Sequence, residues 1–221
     1  KKMIKTSYRQ KLPHIQPVGN CFFVTFRLFG SIPKNRLFEL QAKYEKKIAL
    51  AKLISDPYQR NLEIFNLRKK FLIEYDAVLD TIKSGPFYFK DKSIMDLVKN
   101  ELHRFDPEFY DLIAYSIMSN HVHILIDTSI QLTDMTAKEE LLESYTSLDI
   151  IMKRIKGPTG KYANKLLGKE SRFREKESYD IYIRNEKMLN NVISYILQNP
   201  VKAGMADSWE LYPGNFYKYQ T

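Results

Sequence analysis

Two extended runs, residues 110–118 and 121–127, are separated only by Ser119-Asn120. A two-residue polar gap is the shortest connection between antiparallel strands, so the segment reads as a β-hairpin. In the second run Val122, Ile124 and Ile126 share one face, because alternate residues on a strand point the same way. Three β-branched side chains in register make that a core face, which must be covered by other elements. His121, His123 and Leu125 then occupy the opposite face, with the two imidazoles side by side.

The rest of the chain supplies the cover. Residues 21–29 alternate Phe22, Val24, Phe26 and Leu28 with Phe23, Thr25 and Arg27 between Gly19 and Gly30, and read as an interior strand. From Lys34 to Lys83 the period lengthens. Leu37, Leu40, Tyr44, Ile48 and Ala51 recur at steps of three and four, and after Asp56-Pro57 so do Ile64, Leu67, Phe71, Tyr75, Val78 and Ile82. This spacing predicts an antiparallel helical hairpin. Phe87–Phe89 reads as a short strand, and Ser93 with Asp96 as a capping box for a helix ending before Asp106-Pro107. A basic helical stretch follows Thr133, interrupted at Gly157-Pro158 and Gly160 and closed at Gly168. A last helix is expected over 185–198, ended by Asn199-Pro200. The chain thus reads as one α+β domain, 1–221, with a helical hairpin inserted at about 34–83.

Composition narrows the setting. Of 221 residues 44% are hydrophobic and 28% charged, which excludes a disordered chain. The lone Cys21 excludes an intrachain disulfide framework and a thiolate-rich zinc site. No apolar run reaches the roughly 18–20 residues of a membrane span, and Lys1 opens no signal-peptide pattern, so a cytoplasmic protein without a membrane role is expected. The formal net charge is +9, and aromatic residues, chiefly 15 Tyr and 13 Phe, make up 13% of the chain. Positive charge with abundant rings suits single-stranded nucleic acid, although a solvated basic surface has the same composition.

Two local patterns carry candidate chemistry. His121 and His123, with bases about 6–7 Å apart on one strand face, can converge on a single metal ion. Without a common ligand they are simply two hydrogen-bonded histidines. Tyr195 and Asn199 stand one turn apart on the last helix, Tyr195 at the border of its apolar stripe and Asn191, Gln198 and Asn199 on its polar flank. A phenol there can face a groove, or simply pack with its tip hydrogen-bonded.

The run from Tyr115 through Ser119-Asn120-His121-Val122-His123 to Ile126 resembles the histidine-hydrophobic-histidine (HUH) motif of single-tyrosine transposases. It is most similar to that of the REP-associated tyrosine transposases. The run from Tyr195 through Gln198-Asn199-Pro200-Val201-Lys202 to Gly204 resembles that family's second block. Tyr8-Arg9, the run from Phe23 to Arg27, and Tyr179-Asp180 through Ile183-Arg184 fall in the family's order. Ser119 replaces a customary proline, and Phe173 stands near where a tryptophan is customary. The resemblance implies a ferredoxin-like β-α-β-β-α-β core with an antiparallel sheet and flanking helices. It implies His121 and His123 as catalytic ligands of a divalent metal, Mg²⁺ or Mn²⁺, with Asn199 as the third ligand, Gln198 being a second choice, and Tyr195 as the nucleophile. It further implies nicking and rejoining of single-stranded DNA beside hairpin elements through a 5′-phosphotyrosine, by a homodimer or a monomer.

For backbone contacts the sequence offers Lys153, Arg154, Lys156, Lys161, Arg184 and Lys202, with Arg9 as a further base or phosphate contact. Two other readings stand beside the transposase: a catalytically silent or domesticated nucleic-acid-binding module, and a metal-dependent hydrolase that uses water.

Overall fold

The computed structural model describes residues 7–9, 13–132 and 143–220, and the side chains of 14–132 and 143–220. The chain divides into two compact units, Lys1–Leu28 with Phe87–Thr221, and Phe29–Pro86.

The first unit is built on a five-stranded sheet. Its strands are β3 (Cys21–Arg27), β4 (Asp111–Ile117), β5 (His121–Asp127), β6 (Tyr179–Tyr182) and β7 (Asn215–Tyr217). They lie in the order β6-β3-β5-β4-β7, and every pairing is antiparallel. Helix α3 (Lys92–His103) connects β3 to β4, and α4 (Leu148–Leu167) lies between β5 and β6. Taken in chain order, β3-α3-β4-β5-α4-β6 is a β-α-β-β-α-β unit with its strands arranged fourth, first, third, second. That is the ferredoxin-like α+β arrangement. Helix α5 (Glu186–Lys202) and β7 are additions to it, and β1 (Ser7–Arg9) pairs with β2 (Pro13–Ile15) as a separate ribbon.

The core forms where the strand alternation requires it. Phe22, Val24 and Phe26 stand opposite Ile126, Ile124 and Val122, and all six are buried beneath Ile94, Val98 and Leu102 of α3 and Ile151 and Ile155 of α4. The hairpin expected around Ser119-Asn120 is present, with Met118 N donating to His121 O over 2.9 Å.

Several local expectations are corrected. Tyr88–Lys90 is a 3₁₀ turn, where a strand was expected over 87–89. The cap of α3 is Asp91, whose carboxylate accepts from the backbone N–H groups of Ser93 and Ile94. Asp96 pairs instead with Lys92 at 2.7 Å. Helix α4 runs unbroken through Gly157 and Pro158. Proline forfeits a single helical bond here, while the buried face of Ile151, Ile155, Thr159 and Ala163 holds the helix to the sheet. Gly168, with φ of +61°, closes α4 as expected. Helix α5 likewise continues past Pro200 to Lys202 and closes before Gly204, with Met205 N donating to Pro200 O over 2.8 Å. Asn199 therefore lies within the last turn and does not end it.

The second unit contains α1 (Lys34–Ala51) and α2 (Pro57–Thr81), the expected antiparallel pair. The rings of Tyr44 and Phe71 are 4.6 Å apart, and Lys43 reaches Glu74 at 3.2 Å. Asp56 caps α2 by accepting from Gln59 N at 2.6 Å, with Pro57 at the first helical position. No helix among the described residues is long and apolar enough to cross a membrane.

Candidate active site

The sheet face opposite the α3/α4 layer carries the two histidines. Strand register puts Thr25 of β3 and Ser116 of β4 on either side of His123, and Arg27 beside His121. Both imidazoles are buried, at 1% and 0% exposure. Burial pushes the His121 pKa down to about 3. Burial, with His121 alongside, holds His123 well below the usual histidine range. Both rings are therefore neutral at physiological pH and keep a nitrogen lone pair.

Their hydrogen bonds determine which nitrogen faces inward. His121 Nδ1–H donates to the Asn120 side-chain oxygen at 2.7 Å, which leaves Nε2 unprotonated in the neutral ring. The Thr25 hydroxyl holds His123 Nδ1 at 2.9 Å. With both Nδ1 atoms engaged, the two Nε2 atoms face each other 2.9 Å apart. Two nitrogens at that separation can share one ion through bonds of about 2.1 Å, and the outer hydrogen bonds are of the kind that orient ligating histidines. Among the described residues no third His, Cys, Asp or Glu joins the pair.

The tyrosine of α5 lies against this pair. Its position follows from the helix: Met188, Tyr195, Asn199 and Lys202 fall along one side, and Met188 and Asn199 are buried. The Tyr195 ring packs edge-on to His123 at 5.6 Å and to Phe23 at 5.9 Å, while Phe23 itself stacks on His123 at 5.5 Å. The exposed Lys202 ammonium sits 5.7 Å from the Tyr195 ring centre. Asn199 is 2% exposed, and its side-chain nitrogen has no hydrogen-bond partner among the described residues. An unpaired buried amide costs about 1–3 kcal/mol, so a polar group with no structural partner occupies the same helix face as the phenol.

The other basic candidates disperse. Lys153, Arg154 and Lys161 are exposed on α4, which covers the opposite face of the sheet from the histidines. Lys153 pairs with Asp149 at 2.7 Å, and the Arg154 guanidinium lies 4.5 Å from the Phe109 ring centre. Lys156 is buried and donates to Lys176 O and Ser178 Oγ, each at 2.8 Å. Burial, reinforced by the Arg174 charge, lowers its pKa to about 7. Arg184 is exposed and donates to the Tyr182 hydroxyl at 3.0 Å. Arg9 belongs to β1, and its side chain lies outside the described residues.

Sequence reasoning missed Thr25 and Phe23, which reach the histidines across the β3–β5 pairing. The signal that would have found them is the register: Thr25 and His123 are directly opposed.

Fold and site together define a ferredoxin-like α+β protein with a buried histidine pair beneath a helix-borne tyrosine. No family model matches the chain, and no curated protein matches it. Among solved structures, a REP-associated tyrosine transposase bound to a REP hairpin is similar at a TM-score of 0.48 and 12% sequence identity. The likeness covers 94% of this chain and 80% of that one.

Proposed function

We propose that this chain is a single-tyrosine, metal-dependent endonuclease and strand transferase acting on single-stranded DNA beside hairpin elements. The observation that carries the reading is the inward-facing Nε2 pair, 2.9 Å apart, with the Tyr195 ring packed against it. The HUH-like and Tyr195–Gly204 motifs supply the chemical class.

His121 and His123 through Nε2, and Asn199 through its amide oxygen, would hold the divalent ion, Mg²⁺ or Mn²⁺. Bound there, such an ion supplies Lewis-acid polarisation of a phosphate oxygen. The chain's own groups do the rest. Phe23 and His123 hold the Tyr195 ring in place, and Lys202 puts a positive charge over it. The Tyr195 oxygen attacks phosphorus in line and loses its proton, forming a 5′-phosphotyrosine. The bond from phosphorus to the 3′-oxygen breaks, and that oxygen takes up a proton as a free hydroxyl. The covalent linkage conserves the bond, so rejoining by a 3′-hydroxyl needs no nucleotide triphosphate. The exposed cations of α4, with Arg184 and Lys202, contact the strand backbone.

The test is a denaturing gel with single-stranded hairpin oligonucleotides taken from beside the gene, in Mg²⁺, Mn²⁺ or EDTA. A slower-migrating protein–DNA adduct is expected in either metal, absent in EDTA and absent in Tyr195→Phe. Cleavage without an adduct, surviving Tyr195→Phe, would establish water as the nucleophile. Binding without cleavage in every metal would establish a silent binding module.

A further inference from the structure

A second site lies on the other face of the sheet. Val24 of β3, Asp180 of β6, Gln16 and the Lys153–Lys156 turn of α4 enclose a cavity of about 330 Å³. That volume is at the small end of ligand-binding sites. Its wall has two kinds of chemistry. On the acceptor side Gln16, 6% exposed, has a side-chain oxygen with no hydrogen-bond partner among the described residues. Asp149, Glu177 and Asp180 lie in the same lining, Asp149 paired with Lys153 and Asp180 with His14. On the donor side are Lys156 and Arg174, with exposed Lys153 and Lys176. Lys156 uses two of its three ammonium hydrogens on Lys176 O and Ser178 Oγ, and Arg174 Nε is buried without a partner among the described residues.

Buried polar atoms left unpaired cost stability, and apolar residues of similar size would fill the same space without that cost. A ligand that offers N–H donors to Gln16 and an anion to the cations satisfies both walls at once. Inorganic phosphate answers only the cations. A nucleotide answers both, and best where an exocyclic amine presents two hydrogens to the Gln16 oxygen in place of the single N3–H of thymine.

We propose that this cavity binds one unpaired nucleotide, its base toward Gln16 and its phosphate toward Lys156 and Arg174, with Lys153 and Lys176 at the mouth. The nucleotide is either free or an unpaired unit of a strand. The site is separate from Tyr195 and stands whether or not the tyrosine chemistry does.

The experiment is titration calorimetry on the full Tyr195→Phe chain in EDTA, which removes the nucleophile and any metal from the result. The probes are dGMP, dAMP, dCMP, dTMP, inorganic phosphate, and 5′-phosphorylated trinucleotides with the same central bases. Nucleotides bearing an exocyclic amine are expected to bind about tenfold tighter than dTMP, the size of one good base contact. Gln16→Leu should abolish that preference. Lys153→Ala with Lys176→Ala, both exposed and so tolerated by the fold, should weaken every nucleotide about equally and leave the preference intact. Tighter binding of trinucleotides than of mononucleotides identifies a strand as the source, and the reverse identifies a free nucleotide. Equal affinity for phosphate and nucleotides, a base preference that survives Gln16→Leu, or no saturable binding would overturn the proposal.

Discussion

The Thr25 hydroxyl lies 2.9 Å from His123 Nδ1, on the opposite side of that ring from the Nε2 that faces His121. A hydroxyl can donate or accept, so Thr25 serves either tautomer of His123. Without an ion, His123 Nε2–H donates to His121 Nε2, and Thr25 donates to His123 Nδ1. For both Nε2 atoms to act as ligands, the His123 proton must sit on Nδ1 with Thr25 as its acceptor. Thr25→Val keeps the shape and removes this partner. Mn²⁺ affinity, read by calorimetry, should fall about 10–100-fold with the melting temperature little changed. Asn120→Ala should lower it similarly through His121. Unchanged Mn²⁺ affinity in both variants would count against a histidine-held ion.

Lys202 and Lys161 separate a strand contact made at the tyrosine from one made away from it. Lys202 lies over the Tyr195 ring at 5.7 Å, whereas Lys161 is on α4, across the sheet from the histidines. Lys202→Ala should slow single-turnover adduct formation about 2–5-fold, as expected for loss of an exposed cation–π contact. Lys161→Ala should leave that rate unchanged and reduce the salt slope of DNA binding by about one unit. A Lys161 effect on the saturated rate would place α4 in the chemistry.

The strand hairpin, the histidine face, the helical pair and the tyrosine helix were all legible in the sequence, because each is a local periodicity. What escaped reading is non-local. Pro158 and Pro200 read as helix breaks, since one missing backbone bond is visible in sequence while the buried faces that outweigh it are not. Ser93 with Asp96 reads as the start of α3, but the carboxylate of Asp91, two residues earlier, is what accepts from the first backbone N–H groups. Thr25 and Phe23 looked like ordinary strand residues until the β3–β5 register set one opposite His123 and the other beneath Tyr195. The ion pair of His14 with Asp180 joins residues 166 positions apart.

That ion pair and Lys156 oppose each other in pH. Burial alone would lower the His14 pKa, but its hydrogen bonds and charge interactions with Asp180 and Glu177 outweigh it and raise the value to about 9. The folded state therefore binds this proton more tightly. Its contribution, on the order of 3 kcal/mol, is fully present below pH 6.5 and is lost as pH rises through about 9. Lys156, lowered to about 7, has the opposite sign, so stability is gained as pH rises from about 7 toward 10.5. In the intact chain the two trends offset each other. Denaturant titrations from pH 6 to 10 should show His14→Gln gaining stability with pH and Lys156→Met losing it. Parallel slopes in the two variants would contradict the linkage.

Asn199 provides the sharpest separation of stability from function. Its side-chain nitrogen is buried and unpartnered among the described residues, on the same helix side as Tyr195. A residue retained only for packing would be improved by an apolar side chain of similar size. Asn199→Leu should therefore melt no lower than the parent, and up to about 1–3 kcal/mol of penalty disappears with the amide. If the amide oxygen is the third ligand, the same variant loses Mn²⁺ affinity and adduct formation. Asn199→Asp, which keeps an oxygen and adds a charge, should bind Mn²⁺ at least as tightly as the parent. Opposite movement of melting temperature and metal affinity in Asn199→Leu is the expected mark of a site that gives up stability for chemistry. A variant that keeps full metal affinity would remove Asn199 from the ligand set and leave its buried amide without a functional reason.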